Sequence, residues 1–414
     1  MIQKSKTIQS PGGNAIPPRA AFAPASHDAA EARLLRRAER ADLGDIARKV
    51  FASERLSTDD GLRLYAADLH AVGALANHVR ERLHGDATYF NVNQHINYTN
   101  LCNRLCKFCA FQRLPGQDGA YLMTPEDAAE KIREQLGEPV TEVHVVGGVW
   151  PKLDFDYYLN LLRAIKDARP EIHIKGFTMV ELDEICKQAG LPLADTLAAL
   201  KEAGLDSCPG GGAEVFDEEV RQATYPKKMP GTRWLEVAAA VHEAGLFSNC
   251  TMLHGHVDEP KHRVDHLDKL RKLQDRSLEK GRAAEAAGSK HGSLQAYIPL
   301  SFHPDNSELA HLEAPTALDE LRELAVARLM LDNVPHIKAY WILMDIPTAQ
   351  TALAYGANDV DGTVVEEKIY HEAGATTPQR VLRDQLVRWI EDAGRVPVER
   401  STTYQAIGDA KGRF

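Results

Sequence analysis

The chain has 414 residues, with 49 Lys and Arg against 59 Asp and Glu, so its formal net charge is −10. Acidic and basic residues are interspersed along most of the chain, which argues against a basic surface for nucleic acid or for a membrane. No stretch offers the roughly 20 consecutive apolar residues that span a bilayer, and the start lacks a secretory signal pattern. We therefore expect a cytoplasmic protein with a small-molecule substrate and no nucleic-acid or membrane partner.

Residues 1–28 are rich in Pro and Gly and poor in large apolar side chains, so they predict a disordered tail. Residues 29–84 carry apolar side chains in helical spacing, for example Leu34, Leu35, Ile46 and Val50, and predict an N-terminal helical segment. We expect one large domain over residues 85–404 and a short C-terminal tail over residues 405–414.

From about residue 88, short β-rich runs alternate with longer helical patterns, which is typical of parallel strands joined by helices. Eight strands are predicted, over residues 89–96, 142–146, 172–177, 205–207, 247–253, 296–300, 336–342 and 358–362. Eight repeats favour an α/β fold of the (β/α)8 TIM-type barrel kind, with an open doubly wound sheet as the alternative. Between strands, residues 280–293 are rich in Gly, Ala and charge and predict a mobile surface insertion.

Three cysteines follow the first predicted strand in a Cys-x3-Cys-x2-Cys spacing: Cys102, Cys106 and Cys109. Three thiolates can ligate three irons of a 4Fe-4S cluster and leave the fourth iron open for a small molecule. A zinc site that also recruits His95 is the alternative, although structural zinc usually takes four protein ligands. The other cysteines are scattered singly, so we interpret them as buried, unreactive thiols: Cys186, Cys208 and Cys250.

The cysteine spacing, with aromatic Phe108 before the last thiol, resembles the signature of the radical S-adenosylmethionine (SAM) superfamily. Gly147 and Gly148, after the second strand, resemble the glycine motif that contacts the amino group of SAM in that superfamily. The resemblance implies a 4Fe-4S cluster, SAM consumed as a co-substrate, and a reduced flavodoxin- or ferredoxin-type electron donor. Glu181 is a further candidate for binding SAM, and its alternative role is a helix N-terminal acid.

Longer motifs narrow the resemblance to the futalosine-pathway branch of menaquinone biosynthesis, with the deazaflavin (FO) synthases as relatives. These motifs cover residues 95–100, 209–214, 251–256, 336–341 and 356–368, and they resemble the aminofutalosine synthase family most. That family is a radical SAM transferase family, which adds the 5'-deoxyadenosyl radical to 3-[(1-carboxyvinyl)oxy]benzoate and releases bicarbonate to give 6-amino-6-deoxyfutalosine. The alternatives are a cyclic dehypoxanthine futalosine synthase, an FO-synthase-like enzyme and, from another class, a zinc-stabilised binding protein.

The substrate implied by the resemblance carries two carboxylates, so its pocket should present cationic groups or several hydrogen-bond donors. In a parallel barrel such groups lie at or near the carboxyl ends of the strands. The candidates for substrate binding on this ground are Lys175, His254, His256, His303 and Lys338.

Overall fold

The computed structural model describes residues 27–407. Residues 1–26 of the predicted tail over residues 1–28 therefore lie outside the described residues, as do residues 408–414 of the predicted C-terminal tail. Four helices come first: α1 (His27–Arg40), α2 (Gly44–Phe51), α3 (Thr58–Ala66) and α4 (Leu69–His84). Ser57 and Asp68 accept hydrogen bonds from backbone amides in the first turns of α3 and α4, which fixes where these helices begin.

Parallel strands form the centre of the molecule. They are β1 (Ala87–Asn91), β2 (Asn93–Asn97), β3 (Glu142–Val146), β4 (His173–Gly176), β5 (Ser207–Cys208), β6 (Phe247–His254), β7 (Leu294–Ser301), β8 (His336–Ile337), β9 (Asp359–Gly362) and β10 (Val396–Glu399). Strands β2 to β8 pair in sequence order as one parallel sheet, while β1 lies between β10 and β9 in a second sheet. The strands are largely buried, as expected when helices cover the outside of the sheet.

Two short contacts close the sheet into a ring. Lys338, just after β8, bridges to Asp359 of β9, and Gln94 of β2 bridges to Val365, just after β9. The His95 amide also donates to the Val365 carbonyl at 2.9 Å. Strands β2 to β9 therefore form an eight-stranded parallel barrel, which confirms the predicted (β/α)8 class over the open sheet.

Helices surround this barrel. They are α5 (Pro125–Glu134), α6 (Phe155–Ala168), α7 (Met179–Ala189), α8 (Leu193–Glu202), α9 (Glu218–Thr224), α10 (Gly231–Glu243), α11 (Pro260–Ala286), α12 (Ala317–Met330), α13 (Trp341–Met344), α14 (Ile346–Ala352), α15 (Ile369–Glu372) and α16 (Arg383–Asp392). Helices α3 and α4 pack on α11 and α12, so the N-terminal helices extend the outer layer. Among residues 27–407, no helix is both long enough and apolar enough to span a bilayer.

The C-terminal segment seals the amino-terminal end of the barrel. The guanidinium of Arg400 donates from Nε to Asp359 Oδ2 at 2.6 Å, and both side chains are fully buried. A buried charge of this kind is tolerated because its partner is equally buried and close. Tyr404 stacks on His336 with ring centroids 3.5 Å apart, which fixes the segment after β10 against the barrel.

Several predicted boundaries were wrong. The run over residues 89–96 is two strands, because β1 leaves the barrel to pair with β9 and β10 while β2 pairs with β3. The run over residues 336–342 ends as a strand at Ile337, and Trp341 begins helix α13. The predicted mobile insertion begins as helix, since α11 continues to Ala286 through Ala, Arg, Glu and Lys, all strong helix formers.

Candidate active site

A cavity of about 260 Å³ opens at the carboxyl ends of the barrel strands. The cysteine loop lines it together with residues that follow β3, β5, β7 and β9. Its wall is mostly apolar, with a few polar groups that converge on the interior, the arrangement expected of a small-molecule site. The sequence-predicted residues that line it are Cys102, Cys106, Phe108, Cys109, Gly147, Gly148 and His303.

Backbone hydrogen bonds hold the cysteine loop in place. The Cys102 amide donates to the Arg113 carbonyl at 3.0 Å, and the Cys109 amide donates to the Cys106 carbonyl at 3.0 Å. Lys107 is fixed at both its backbone groups, because its amide donates to Thr224 and its carbonyl accepts from Glu308. The loop therefore presents its three thiols to the cavity through contacts made by the chain itself.

The spacing of the thiols fits a metal cluster better than a single zinc ion. Burial raises the pKa of the Cys106 thiol to about 12 and raises the pKa of Cys109, so metal binding has to displace these protons. Tetrahedral zinc at about 2.3 Å from each sulfur would hold the three sulfurs within roughly 4 Å of one another. Within residues 27–407, the group with all ligand atoms within 4.8 Å is Asp217, Glu219 and His262, and the loop cysteines do not form one.

The other three cysteines lie away from the cavity. Cys208 and Cys250 are fully buried in the hydrophobic core, and burial raises the pKa of both thiols. The Cys186 thiol donates to the Leu191 carbonyl at 3.1 Å. None of the three is placed to complete a ligand set with the loop.

Gly147 and Gly148 support the cysteine loop from behind. A Cβ on Gly148 would lie 2.2 Å from the Leu101 carbonyl oxygen, one residue before Cys102, and a Cβ on Gly147 would meet the Tyr98 ring at 2.8 Å. The Gly148 amide donates to the Thr99 carbonyl at 2.8 Å. Only glycine allows so close an approach of β3 to the loop, whatever else the turn contacts.

Glu181 reaches this turn from the first turn of α7 and does not line the cavity. Its Oε1 accepts from the Gly147 amide at 2.9 Å and from the Tyr98 hydroxyl at 2.8 Å, while Oε2 accepts from the Thr178 amide at 2.7 Å. Burial raises the pKa of Glu181, and these hydrogen bonds oppose that effect. The structure thus places Glu181 as a helix-capping acid that positions the glycine turn.

Two cations that sequence reasoning missed stand beside the cysteine loop. Lys228 pairs with Glu214, and its ammonium lies 5.7 Å from the centre of the Phe108 ring. Burial acts to lower the pKa of Lys228, but Glu214 and Cys106 outweigh it and raise the pKa overall. Arg104 pairs with Glu184, and its buried Nε has no hydrogen-bond partner. Arg104 lies within the cysteine motif, but its contact with Glu184 could not be seen from the sequence. Lys228 has no local signal either, because it comes from a loop more than a hundred residues away.

The predicted substrate lysines are held in ion pairs outside the cavity. Lys175 donates to Glu142 at 2.8 Å, and both side chains are buried between β3 and β4. Lys338 donates to Asp361 at 3.0 Å, so only the carboxylate partner of this pair lines the cavity. Both lysines point into the barrel, where a buried cation needs an acid within contact distance.

The predicted histidines have different positions. His254 is buried behind the cavity wall, and burial lowers its pKa to about 3. The His256 side chain is also buried, with Nδ1 accepting from the Val257 amide at 2.8 Å. His303 lines the cavity, and its Nε2 lies 3.1 Å from the Leu343 carbonyl. The structure therefore brings His303 to the site and leaves the other two outside its lining.

Two further histidines line the cavity more deeply. His95 of β2 and His144 of β3 are register partners, and their rings stack with centroids 4.6 Å apart. His95 Nε2 is buried without a hydrogen-bond partner. His144 is partly exposed to the cavity, and its ring makes no hydrogen bond to the described residues. A strand histidine gives no sequence signal of its own, so only the pairing of β2 with β3 brings this pair together.

Comparison with known proteins places these features in a family context. Residues 96–270 match the family model of the radical SAM superfamily, and residues 290–411 match the CofH/MqnC C-terminal region. The chain is similar to an aminodeoxyfutalosine synthase of Thermus thermophilus, with 44% identity over 87% of this chain and 95% of that protein. It is 41% identical to the corresponding enzyme of Streptomyces coelicolor, over 89% of this chain and 95% of that protein.

The solved structure of methylornithine synthase has the same fold. It superimposes with a TM-score of 0.66 and 17% identity, over 84% of this chain and 96% of that chain. At this identity the likeness concerns the fold alone.

Proposed function

The chain belongs to the radical SAM superfamily, in its aminodeoxyfutalosine synthase family, and on that basis we propose that it makes 6-amino-6-deoxyfutalosine from SAM and 3-[(1-carboxyvinyl)oxy]benzoate. The observation that carries the proposal is the cysteine loop at the mouth of a closed barrel, in a chain 44% identical to a relative of that name over nearly its full length. SAM is consumed in this reaction, because its adenosyl group becomes part of the product.

Cys102, Cys106 and Cys109 are the residues that hold the 4Fe-4S cluster in this proposal. They fit it because they line one cavity on a loop held by backbone hydrogen bonds, with no fourth cysteine at hand. Held by these thiolates, the cluster would supply the one electron needed for reductive cleavage of SAM to methionine and the 5'-deoxyadenosyl radical.

The chain's own part in the reaction is to position the substrate and exclude water. A primary carbon radical must meet one alkene carbon before it takes hydrogen from a neighbouring group, so orientation decides the outcome. The cavity wall supplies apolar surface from Ile298, Leu300 and Phe302. This surface has no O–H or N–H groups and excludes water from the alkene. Gly147 and Gly148 line the cavity and let β3 approach the cysteine loop closely, and Glu181 holds their turn in position.

An electron donor and a location complete the proposal. We propose a reduced flavodoxin- or ferredoxin-type protein as the donor and the cytoplasm as the location. The support is chemical: the loop thiols are free, and a reducing compartment keeps cysteines available to ligate iron.

Anaerobic reconstitution with iron and sulfide tests the proposal, with products identified by mass spectrometry. The reconstituted enzyme, given reductant, SAM and the enolpyruvyl benzoate, should form aminofutalosine and methionine. Formation of a ring-closed product from dehypoxanthine futalosine, with none from the enolpyruvyl benzoate, would assign the sister cyclase activity instead. A colourless protein that binds zinc in place of iron would overturn the enzyme assignment.

A further inference from the structure

The deep end of the cavity differs from its mouth. At the mouth, the cysteine loop and the glycine turn surround the place where SAM would react. His144 lies three residues before Gly147 on β3, and at a rise of about 3.3 Å per residue this puts it roughly 10 Å deeper in the barrel. Apolar side chains such as Val146 and Ile298 line the space between these levels.

The stacked histidines are the free polar groups at this depth. His95 and His144 stack on each other and both line the cavity. His95 Nε2 is buried without a partner, while the His144 ring is partly exposed to the cavity and has no hydrogen bond within residues 27–407. Buried polar groups in proteins are nearly always satisfied, so the unpartnered His95 Nε2, beside a second ring that is open to the cavity, indicates a ligand that supplies acceptors.

The charges around the pair are already balanced. Glu142 pairs with Lys175, and Asp361 pairs with Lys338. Glu367 accepts from the Ile369 and Tyr370 amides and lies 3.1 Å from His371. No unpaired cation faces the pair from these elements, so an anionic group here has to be bound by N–H donors.

Both rings are suited to that task. Burial lowers the pKa of His95, and burial with the neighbouring His95 lowers the pKa of His144, so both rings are neutral near pH 7. A neutral imidazole carries one N–H donor, so the pair supplies two. A carboxylate offers two oxygens, one for each donor, and hydrogen bonds to a charged acceptor are the strong ones.

We propose that His95 and His144 bind the benzoate carboxylate of the substrate, each ring donating one N–H to one oxygen. This inference rests on the proposed function. The benzoate carboxylate is the end of that substrate farther from the reacting alkene, so anchoring it on the cavity floor places the alkene toward the cysteine loop. The apolar residues between the two levels then contact the aromatic ring.

Calorimetric binding to the reconstituted enzyme, with SAM present and reductant omitted, tests this without turnover. His144→Phe keeps an aromatic ring for stacking but removes the donor, so it should weaken binding of the enolpyruvyl benzoate by about tenfold or more. His144→Gln, which restores an N–H, should recover part of the loss. His173→Phe is the matched control, because His173 lies on the next strand, bonds Ser207 and does not line the cavity.

Binding of a substrate analogue with a methyl ester at the benzoate carboxylate is the second test. The wild-type enzyme should bind this ester weakly, and His144→Phe should have little further effect on it. Unchanged binding of the diacid by His144→Phe, or an ester that remains sensitive to the substitution, would overturn the assignment of the pair while leaving the proposed function intact. If the wild-type enzyme with SAM does not bind the diacid at all, the proposed function fails, and this inference fails with it.

Discussion

At the scale of single residues, the cluster assignment depends on three thiols and on no other cysteine. Cys102→Ala, Cys106→Ala and Cys109→Ala should each abolish SAM cleavage, because an incomplete thiolate set does not hold the cluster with one open iron. Iron content, visible absorbance and methionine release measure this. Cys186→Ala is the control, since Cys186 lies on α7 away from the cavity, and full turnover by any loop variant would refute the assignment.

Glu320 gives the molecule a pH-dependent stability. Burial raises its pKa to about 7, opposed by the Ser301 hydroxyl, which donates to it at 2.5 Å. The folded state therefore binds a proton between about pH 4.5 and pH 7 that the unfolded state has released, so the free energy of unfolding falls as pH rises through this window. The shift of about 2.5 pKa units corresponds to roughly 3 kcal/mol.

Glu320→Gln removes this titration, so its stability relative to wild type should increase from pH 5 to pH 8 by up to about 3 kcal/mol. Urea unfolding at both pH values measures the difference. The exposed Glu313→Gln serves as a control and should follow the wild type. A Glu320→Gln curve parallel to the wild type across this range would show that Glu320 does not titrate there.

The sequence indicated some of the residues that line the cavity and missed others. The cysteine spacing is local, so it could be read directly, as could the glycine turn after β3. Whether a lysine is free to bind a substrate depends instead on which side chains the neighbouring strand places beside it. Lys175 was predicted to bind substrate, but β3 places Glu142 against it as an ion-pair partner. His144 carries no signal in the sequence, and only the pairing of β2 with β3 brings His95 beside it.

At the scale of elements, β3 and the cysteine loop fit together through Gly148. Gly148→Ala would push a methyl group against the Leu101 carbonyl, so the loop must shift. We expect a loss of about 1–3 kcal/mol in unfolding free energy and lower iron occupancy after reconstitution. Gly137→Ala is the matched control, because nothing lies within 4 Å of its added methyl group. Equal iron occupancy in the two variants would contradict a supporting role for Gly148.

The segment after β10 is fixed to the barrel by Arg400 and Asp359. Arg400→Met would leave Asp359 buried without its partner, which should cost about 3–5 kcal/mol of unfolding free energy. Arg383→Met removes a half-exposed partner of Glu399 on the same part of the chain and should cost less than about 1 kcal/mol. Denaturant unfolding compares them, and similar losses in both would show that the buried pair does not hold this segment.

Element positions followed from the sequence where the pattern was strong. The β3 strand lies where the Val-rich run over residues 142–146 predicted it. The break at Val92 could not be seen, because residues 89–96 contain no Gly or Pro to mark it and only the separate partners of β1 and β2 divide the strand. The short strand β10 has only a weak strand pattern in the sequence, since it pairs only with β1 at the end of the barrel.

At the scale of the whole molecule, the barrel organises one reaction space with the cysteine loop at its mouth. The ring closes through β9, and the C-terminal segment covers the opposite end, so the cavity is approached from the side of the loop. This arrangement suits a reaction in which the adenosyl group must reach a substrate carbon before it meets water or another hydrogen donor.

The fate of the adenosyl group tests the proposed function most directly. The enzyme is given SAM labelled in the ribose, with reductant and the enolpyruvyl benzoate, and the label is followed by mass spectrometry. Addition to the alkene predicts labelled aminofutalosine, one for each methionine formed, with 5'-deoxyadenosine only as a minor uncoupled product. Stoichiometric labelled 5'-deoxyadenosine, with no label in any product that retains the benzoate, would contradict the account.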